Sequence, residues 1–291
     1  MIQPTRGHRI GLIQIHTAVL IASGVALFAK YLPIGPTGLT AGRTAFGAIA
    51  LMLFALATGT SLRVGNRRDL SLLILSGILL ATHWFAFFQS IQISSIAVAL
   101  ISTATFPLFT TFLEPLFFHE RLRKRDIVTA LATCGGLVLV APGFDLANHV
   151  TQGALWGVFA AFAYASLTLL NRGYSRRHAA ATISFYQQAV AALCALPFAF
   201  AGFAAIPAGS VLHVVGLLIV LGVVFTALAQ GLVVASLRVI KAQTVGVLFG
   251  LEPVYGSLYA FLLLGEVPTQ RTVMGGALIM AAGIWTSLAR R

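Results

Sequence analysis

The chain has 291 residues, of which 58% are hydrophobic and only 9% charged, with a formal net charge of +12. A soluble domain carries about 25% charged residues, so this composition excludes a globule solvated by water and requires a surface that faces lipid. The basic excess alone would suit a nucleic-acid partner, but its distribution in short segments between apolar runs does not, and no nucleic-acid partner is expected.

A bilayer core of roughly 30 Å needs about 20 apolar residues per helix, which leaves room for nine or ten spans and little else. Breaks in hydropathy predict helices over 9–29, 37–57, 69–90, 94–117, 126–142, 152–171, 180–203, 211–233, 241–264 and 271–289. The first run, Ile10 to Ala29, follows Arg6 and Arg9 as a signal peptide would. It has no A-x-A exit into a polar mature domain, and is read as a retained first span. Connections are short and marked by Pro, Gly and charge, as in Leu32-Pro33-Ile34-Gly35-Pro36 and Ala204 to Ser210. Short loops place sequential helices side by side and antiparallel.

Lys and Arg near span ends report orientation. Alternate connections carry Arg6 and Arg9; Arg63, Arg67 and Arg68; Arg121, Arg123, Lys124 and Arg125; Arg172, Arg176 and Arg177; Arg238 and Lys241; and Arg290 and Arg291. The opposite set holds only Lys30 and Arg271, and Arg43 falls inside a span. The asymmetry predicts an even number of spans with both termini in the cytoplasm. Cys134 and Cys194 lie inside apolar runs with no CxxC and no His at ligand spacing, so neither a disulfide, a metal site nor a cofactor is expected.

An internal repeat is legible. Pro107 and Pro253, Glu120 and Glu266, and Arg125 and Arg271 align at one constant offset. Each set lies in a long apolar helix with a proline near its middle and a Glu at its end, followed by a Gly-rich span (Gly135-Gly136; Gly275-Gly276). A five-helix repeat has an odd number of spans, so its copies insert with opposite orientation. The expected fold is an all-α membrane protein of about ten transmembrane helices in two five-helix inverted-topology repeats, residues 1–145 and 150–291. Such repeats are a common transporter architecture, with the substrate site at their interface near the midplane.

Over essentially its whole length the chain resembles the EamA-type ten-helix members of the drug/metabolite transporter superfamily. The residues that carry the resemblance are Ser94-Ser95-Ile96-Ala97-Val98-Ala99-Leu100 leading to Pro107 and Glu120-Arg121-Leu122, then Glu252-Pro253 to Gly265-Glu266, and Arg43. Val267-Pro268 departs from the basic residue usual after the second Glu. The resemblance implies secondary transport, often export, of metabolites, amino acids or drugs across the inner membrane. Some members with this architecture export aromatic and other neutral amino acids.

Several intramembrane residues are candidates for a substrate site, each with a structural alternative. Glu252 lies near the middle of the predicted ninth helix, before a proline that frees a backbone carbonyl, with Tyr255 and Tyr259 following at helical spacing. An intramembrane carboxylate costs about 2.5–3.5 kcal/mol on insertion scales and is a functional candidate by default. It is either a ligand for a substrate amine, a protonatable coupling group, or a structural acid paired with Arg43. Arg43, among Gly38, Gly42 and Gly47, either clamps a carboxylate, snorkels to the outer interface or makes a structural ion pair. Ser76, His83 and Ser90 recur every seventh residue beside Trp84 and Phe87, a polar seam that faces a cavity or another helix. Trp156 is a stacking wall or an interfacial anchor. Tyr164, Thr168 and Asn171 share one face of the sixth helix, and Tyr186 and Gln187 lie in the seventh. Glu114, Glu120 and Glu266 read as helix-end acids that fix loops, the last two through Arg125 and Arg271.

The leading function is a secondary carrier for small amphipathic molecules, monomeric or homo-oligomeric, working in the lipid bilayer. No G-x-S-x-G, H-E-x-x-H or paired intramembrane aspartates support an enzyme, since Asp69, Asp126 and Asp145 all fall at helix ends or loops. A non-transporting scaffold leaves the midspan acid and the aromatic seams without a role. The chain carries no P-loop for ATP-driven pumping.

Overall fold

The computed structural model describes residues 6–118, 124–140, 145–174, 177–237 and 248–289. Among them the chain is helical and has no strand. Its elements are α1 (Arg6–Ser23), α2 (Val25–Tyr31), α3 (Gly35–Thr58), α4 (Arg67–Ile93), α5 (Ile96–Thr103), α6 (Phe106–Phe118), α7 (Lys124–Val140), α8 (His149–Tyr174), α9 (Ala180–Ala204), α10 (Val211–Gly222), α11 (Ala229–Leu237), α12 (Glu252–Leu264) and α13 (Gln270–Ala289). A π-helical turn, Val223–Leu228, joins α10 to α11. Six helical runs are long and apolar enough to cross a membrane. With the shorter pieces they make a multi-pass protein of ten spans, α1–α2, α5–α6 and α10–α11 each counting as one.

Polar residues and glycines set the helix ends. Asn66 caps α4 through the Arg68 amide (2.9 Å), Ser95 caps α5 through that of Val98 (3.2 Å), and Asn148 caps α8 through that of Val150 (2.8 Å). Gly59 and Gly265 end α3 and α12 in the left-handed region, at φ 67° and 68°, which a side chain would disfavour.

Four spans differ from the continuous helices expected. The first breaks at Gly24, where an added Cβ would meet the Phe225 ring at 2.5 Å. The fourth breaks at Ala104 and Thr105, the eighth passes through the π turn, and the ninth has a turn at Gly250 and Leu251. The breaks in the fourth and ninth spans fall at the offset that relates Pro107 to Pro253. Each proline is therefore the second residue of a helix, where its missing N–H costs nothing. Glu252 accordingly opens α12; it does not sit in the middle of an unbroken helix.

Packing pairs exchange when the first five spans are swapped for the last five. The pair α4 with α8 answers to α11 with α1, α4 with α9 to α10 with α3, and α5–α6 with α8 to α12 with α1. The contacts α3 with α9 and α7 with α13 map onto themselves. Glycines permit the closest crossings: a Cβ on Gly136 would lie 2.7 Å from Gly275 O, and one on Gly222 would lie 2.9 Å from both Arg43 O and Gly47 N.

The two ends of the bundle carry different ion pairs. At one end, here the lower, buried Asp69 pairs with Arg177 at 2.8 Å and with His178 at 2.9 Å, and Thr182 Oγ1 donates to Ser61 O at 2.9 Å. At the upper end Lys30 pairs with Glu266 at 3.3 Å, while the Ile96 amide donates to the same carboxylate at 3.1 Å. Glu266 thus fixes a loop, as expected, but through Lys30 and the start of α5, not through Arg271. Glu120 lies outside the described residues, as does the side chain of Glu114.

Candidate functional site

Arg43 is the ninth residue of α3 and is 2% exposed. Glycines at 42 and 47 let α10 approach so closely that the guanidinium is enclosed between α3, α4 and the π turn. Its Nε donates to Thr226 Oγ1 at 3.1 Å. Its Cζ lies 3.4 Å from the centroid of the Trp84 ring and 5.9 Å from that of Phe88, a cation–π arrangement. Nη1 is buried without a hydrogen-bond partner, and so is Trp84 Nε1. Thr226 spends its own hydrogen on Leu221 O, five residues back, at 2.8 Å. That bond belongs to the wide π turn, a feature frequent at functional sites.

Around this centre α4 and α8 supply rings. His83 donates through Nδ1 to Ala160 O at 3.0 Å, the only role a carbonyl partner allows, so Nε2 is the nitrogen left to accept. The His83 ring centroid lies 4.7 Å from that of Trp84, 4.9 Å from Tyr164 and 6.2 Å from Phe87, and Phe106 meets Tyr164 edge-on at 5.5 Å. Glu252 lies within electrostatic reach of Arg43 and Tyr164, yet no direct ion pair joins it to Arg43 among the described residues. Glu252 and Tyr164 are each partly exposed. The result is a buried cation stacked among aromatic rings, with one carboxylate within electrostatic reach.

Known proteins point the same way. The model of the EamA-like transporter family matches residues 9–141 and again 151–288. This chain belongs to the EamA-like transporter family. Relatives in the family include a pseudopaline exporter of Pseudomonas aeruginosa, 29% identical over 86% of this chain and 85% of that protein. A threonine/homoserine exporter of Escherichia coli is 26% identical over 93% of this chain and 88% of its own. An S-adenosylmethionine uptake transporter of Rickettsia bellii is 25% identical over 82% and 79%. A solved crystal structure matches at a TM-score of 0.67 and 22% identity, covering 99% of this chain and 98% of the other, which establishes the fold over the full length. The EamA-like chain is therefore a membrane transporter of small molecules and not an enzyme.

Of the residues singled out from sequence, the EamA-like fold brings Arg43, His83, Trp84, Phe87, Tyr164 and Glu252 together. Trp156 belongs to another ring cluster, 5.6 Å from Phe85 and 6.1 Å from Phe159, and lines a shallow apolar groove with Gln152, Leu155 and Phe159. Tyr186 lies beside Phe185 and packs near Leu73 and Ile183, toward the lower end. Gln187 Nε2 donates to Asn171 Oδ1 at 2.6 Å, tying α9 to α8. Tyr255 packs with Ile15, Ala18 and Val19 of α1, and Tyr259 donates to Leu20 O at 3.3 Å. The tyrosines following Glu252 thus serve the α1 contact. In the α4 seam, Ser76 bonds Leu73 O of its own helix at 2.7 Å and Ser90 bonds Gly153 O at 2.6 Å. Ser76 thus bonds within α4 and Ser90 ties α4 to α8, and only His83 between them reaches the ring cluster.

Thr226, Phe88, Phe106, Gln188 and Gln230 went unnoticed in the sequence. A threonine in an apolar helix normally bonds its own backbone, and nothing in the local pattern marks this one as the partner of an arginine 183 residues earlier.

Proposed function

We propose that the protein is a secondary exporter of small amphipathic metabolites of the amino-acid type, working by alternating access. The observation that carries this reading is the buried Arg43 guanidinium, with one donor open, within electrostatic reach of the Glu252 carboxylate. A zwitterion presents a carboxylate to the first and an ammonium to the second, and a guanidinium binds carboxylates in a planar, directional way. The rings of His83, Trp84, Phe87 and Tyr164 suit an apolar or aromatic side chain. Export as the direction is favoured by the names of the pseudopaline and threonine/homoserine exporters. Two repeats, 1–145 and 150–291, rocking about their shared contacts would expose the Arg43 and Glu252 site to either end in turn. The lower end, which gathers the basic connections, faces the cytoplasm of an inner membrane in this account.

The test is uptake of a panel of labelled neutral amino acids into proteoliposomes, with and without a pH gradient. Accumulation or exchange of at least one above empty vesicles is expected. Uptake at the level of empty vesicles across the whole panel would end the amino-acid reading.

A further inference from the structure

The offset that relates the two halves also pairs Trp84 with Gln230, and Arg43 and Gln188 are each the ninth residue of their helices, α3 and α9. Those helices pack on one another and map onto themselves when the halves are exchanged. The offset itself sets Arg43 against Ala189, and the contact that answers to the Arg43–Trp84 stack is made one residue earlier, by Gln188 with Gln230, whose amides approach at 3.4 Å (Nε2 to Oε1).

Gln188 is 1% exposed and its Oε1 is buried with no partner. Turning the amide over does not cure this, because a side chain with two polar atoms and one partner leaves one atom over either way. Leaving a buried polar atom unsatisfied is costly, and native proteins keep such atoms where something else visits them. The orphan's side chain also lies close to the partner of Arg43. A Cβ on Gly47, one helical turn below Arg43, would be 3.3 Å from Thr226 Cγ2 and 3.7 Å from Gln188 Cδ. Thr226 is the residue that fixes Arg43. At 1.5 Å per residue, Arg43 is about 12 Å below the upper end of α3 and Gln188 about 12 Å above the lower end of α9. The two therefore lie on either side of the middle of the bundle, with Gly47 and Thr226 between them.

We infer that Gln188, held by Gln230, is a specificity-determining residue whose free amide atom hydrogen-bonds a hydroxyl or amide on the substrate's side chain. The inference rests on the proposed binding of an amino-acid backbone by Arg43 and Glu252. It adds that the carrier prefers substrates whose side chain carries such a hydrogen-bonding group over isosteres that lack one, since an apolar isostere would leave the amide atom unpaired.

Threonine and valine differ by a hydroxyl in place of a methyl, so the test compares their uptake by wild-type protein, Gln188→Met and Gln230→Met in proteoliposomes. Each variant is first checked for a monodisperse peak by size exclusion. Wild type is expected to favour threonine, and Gln188→Met to lower the threonine-to-valine ratio of kcat/KM about tenfold, the size of one neutral hydrogen bond. Gln230→Met should lower it less, because it removes only the support. Equal uptake of the two amino acids by wild type overturns the inference whatever the variants do. So does a fall in both rates with an unchanged ratio, which describes a helix-packing contact alone. If wild type carries neither amino acid but does carry another of the panel, this inference falls and the zwitterion reading stands; if it carries none of the panel, both fall.

Discussion

Arg43 is the residue on which the account turns, and its environment explains how a full charge is kept at this depth. Charged side chains inside a membrane face the bundle interior and find partners. Here the partners are Thr226 Oγ1 on one edge and the Trp84 face below, a stack worth about 2 kcal/mol when desolvated. Removing the Thr226 hydroxyl leaves the charge but frees the guanidinium to swing. Thr226→Val should therefore raise KM about tenfold with little change in kcat, as expected when a hydrogen bond to a charged group is lost from a binding step. An unchanged KM in an uptake series would mean that Thr226 does not position Arg43. Arg43 and Glu252 were legible in the sequence because an ionisable group in an apolar run cannot be explained by solvent. Thr226 and Gln188 were not, because each is an ordinary residue for its helix and acquires its role only from a neighbour far along the chain.

At the scale of elements, the spans form where hydropathy places them, but four of them break. The apolar runs continue unbroken through Ala104-Thr105 and through the π turn, so hydropathy carries no trace of either. Pro107 and Pro253 did mark breaks, displaced a residue or two from where a mid-helix kink would lie. Glycines, by contrast, act through contacts that composition does not reveal. Gly222 is in backbone contact with α3, whereas nothing lies within 4 Å of a Cβ on Gly216 in the same helix. Gly222→Ala should destabilise the protein by about 1–3 kcal/mol, since the backbone of α3 must move. Gly216→Ala should be neutral or raise stability by up to about 1 kcal/mol through helix propensity. Thermal melts of the two variants in detergent, read by size exclusion, distinguish them; equal melting would contradict the close crossing of α3 and α10.

For the molecule as a whole, connections that the basic residues assign to one set meet at one end of the bundle among the described residues. Ser61, Asp69, Arg177 and Thr182 meet at the lower end, and Lys30, Ser94, Ile96 and Glu266 at the upper end. Which end faces the cytoplasm follows in this account from the positive-inside rule. In a background with Cys134 and Cys194 replaced, a cysteine at Asn148 should react with an impermeant thiol reagent added outside intact cells, and one at exposed Gly65 should not. The reverse labelling would invert the orientation and contradict the positive-inside assignment.

The central claim, that Arg43 holds a substrate carboxylate and Glu252 a substrate ammonium, is tested most directly by competition. Inhibition of amino-acid uptake is measured for the amino acid itself, its carboxamide and its desamino acid, in wild-type protein, Arg43→Gln and Glu252→Gln. Wild type should prefer the intact zwitterion over both analogues. Arg43→Gln should abolish the preference over the carboxamide alone, and Glu252→Gln the preference over the desamino acid alone. Loss of affinity for all three ligands in equal proportion, in both variants, would contradict the assignment and return Arg43 and Glu252 to a structural role.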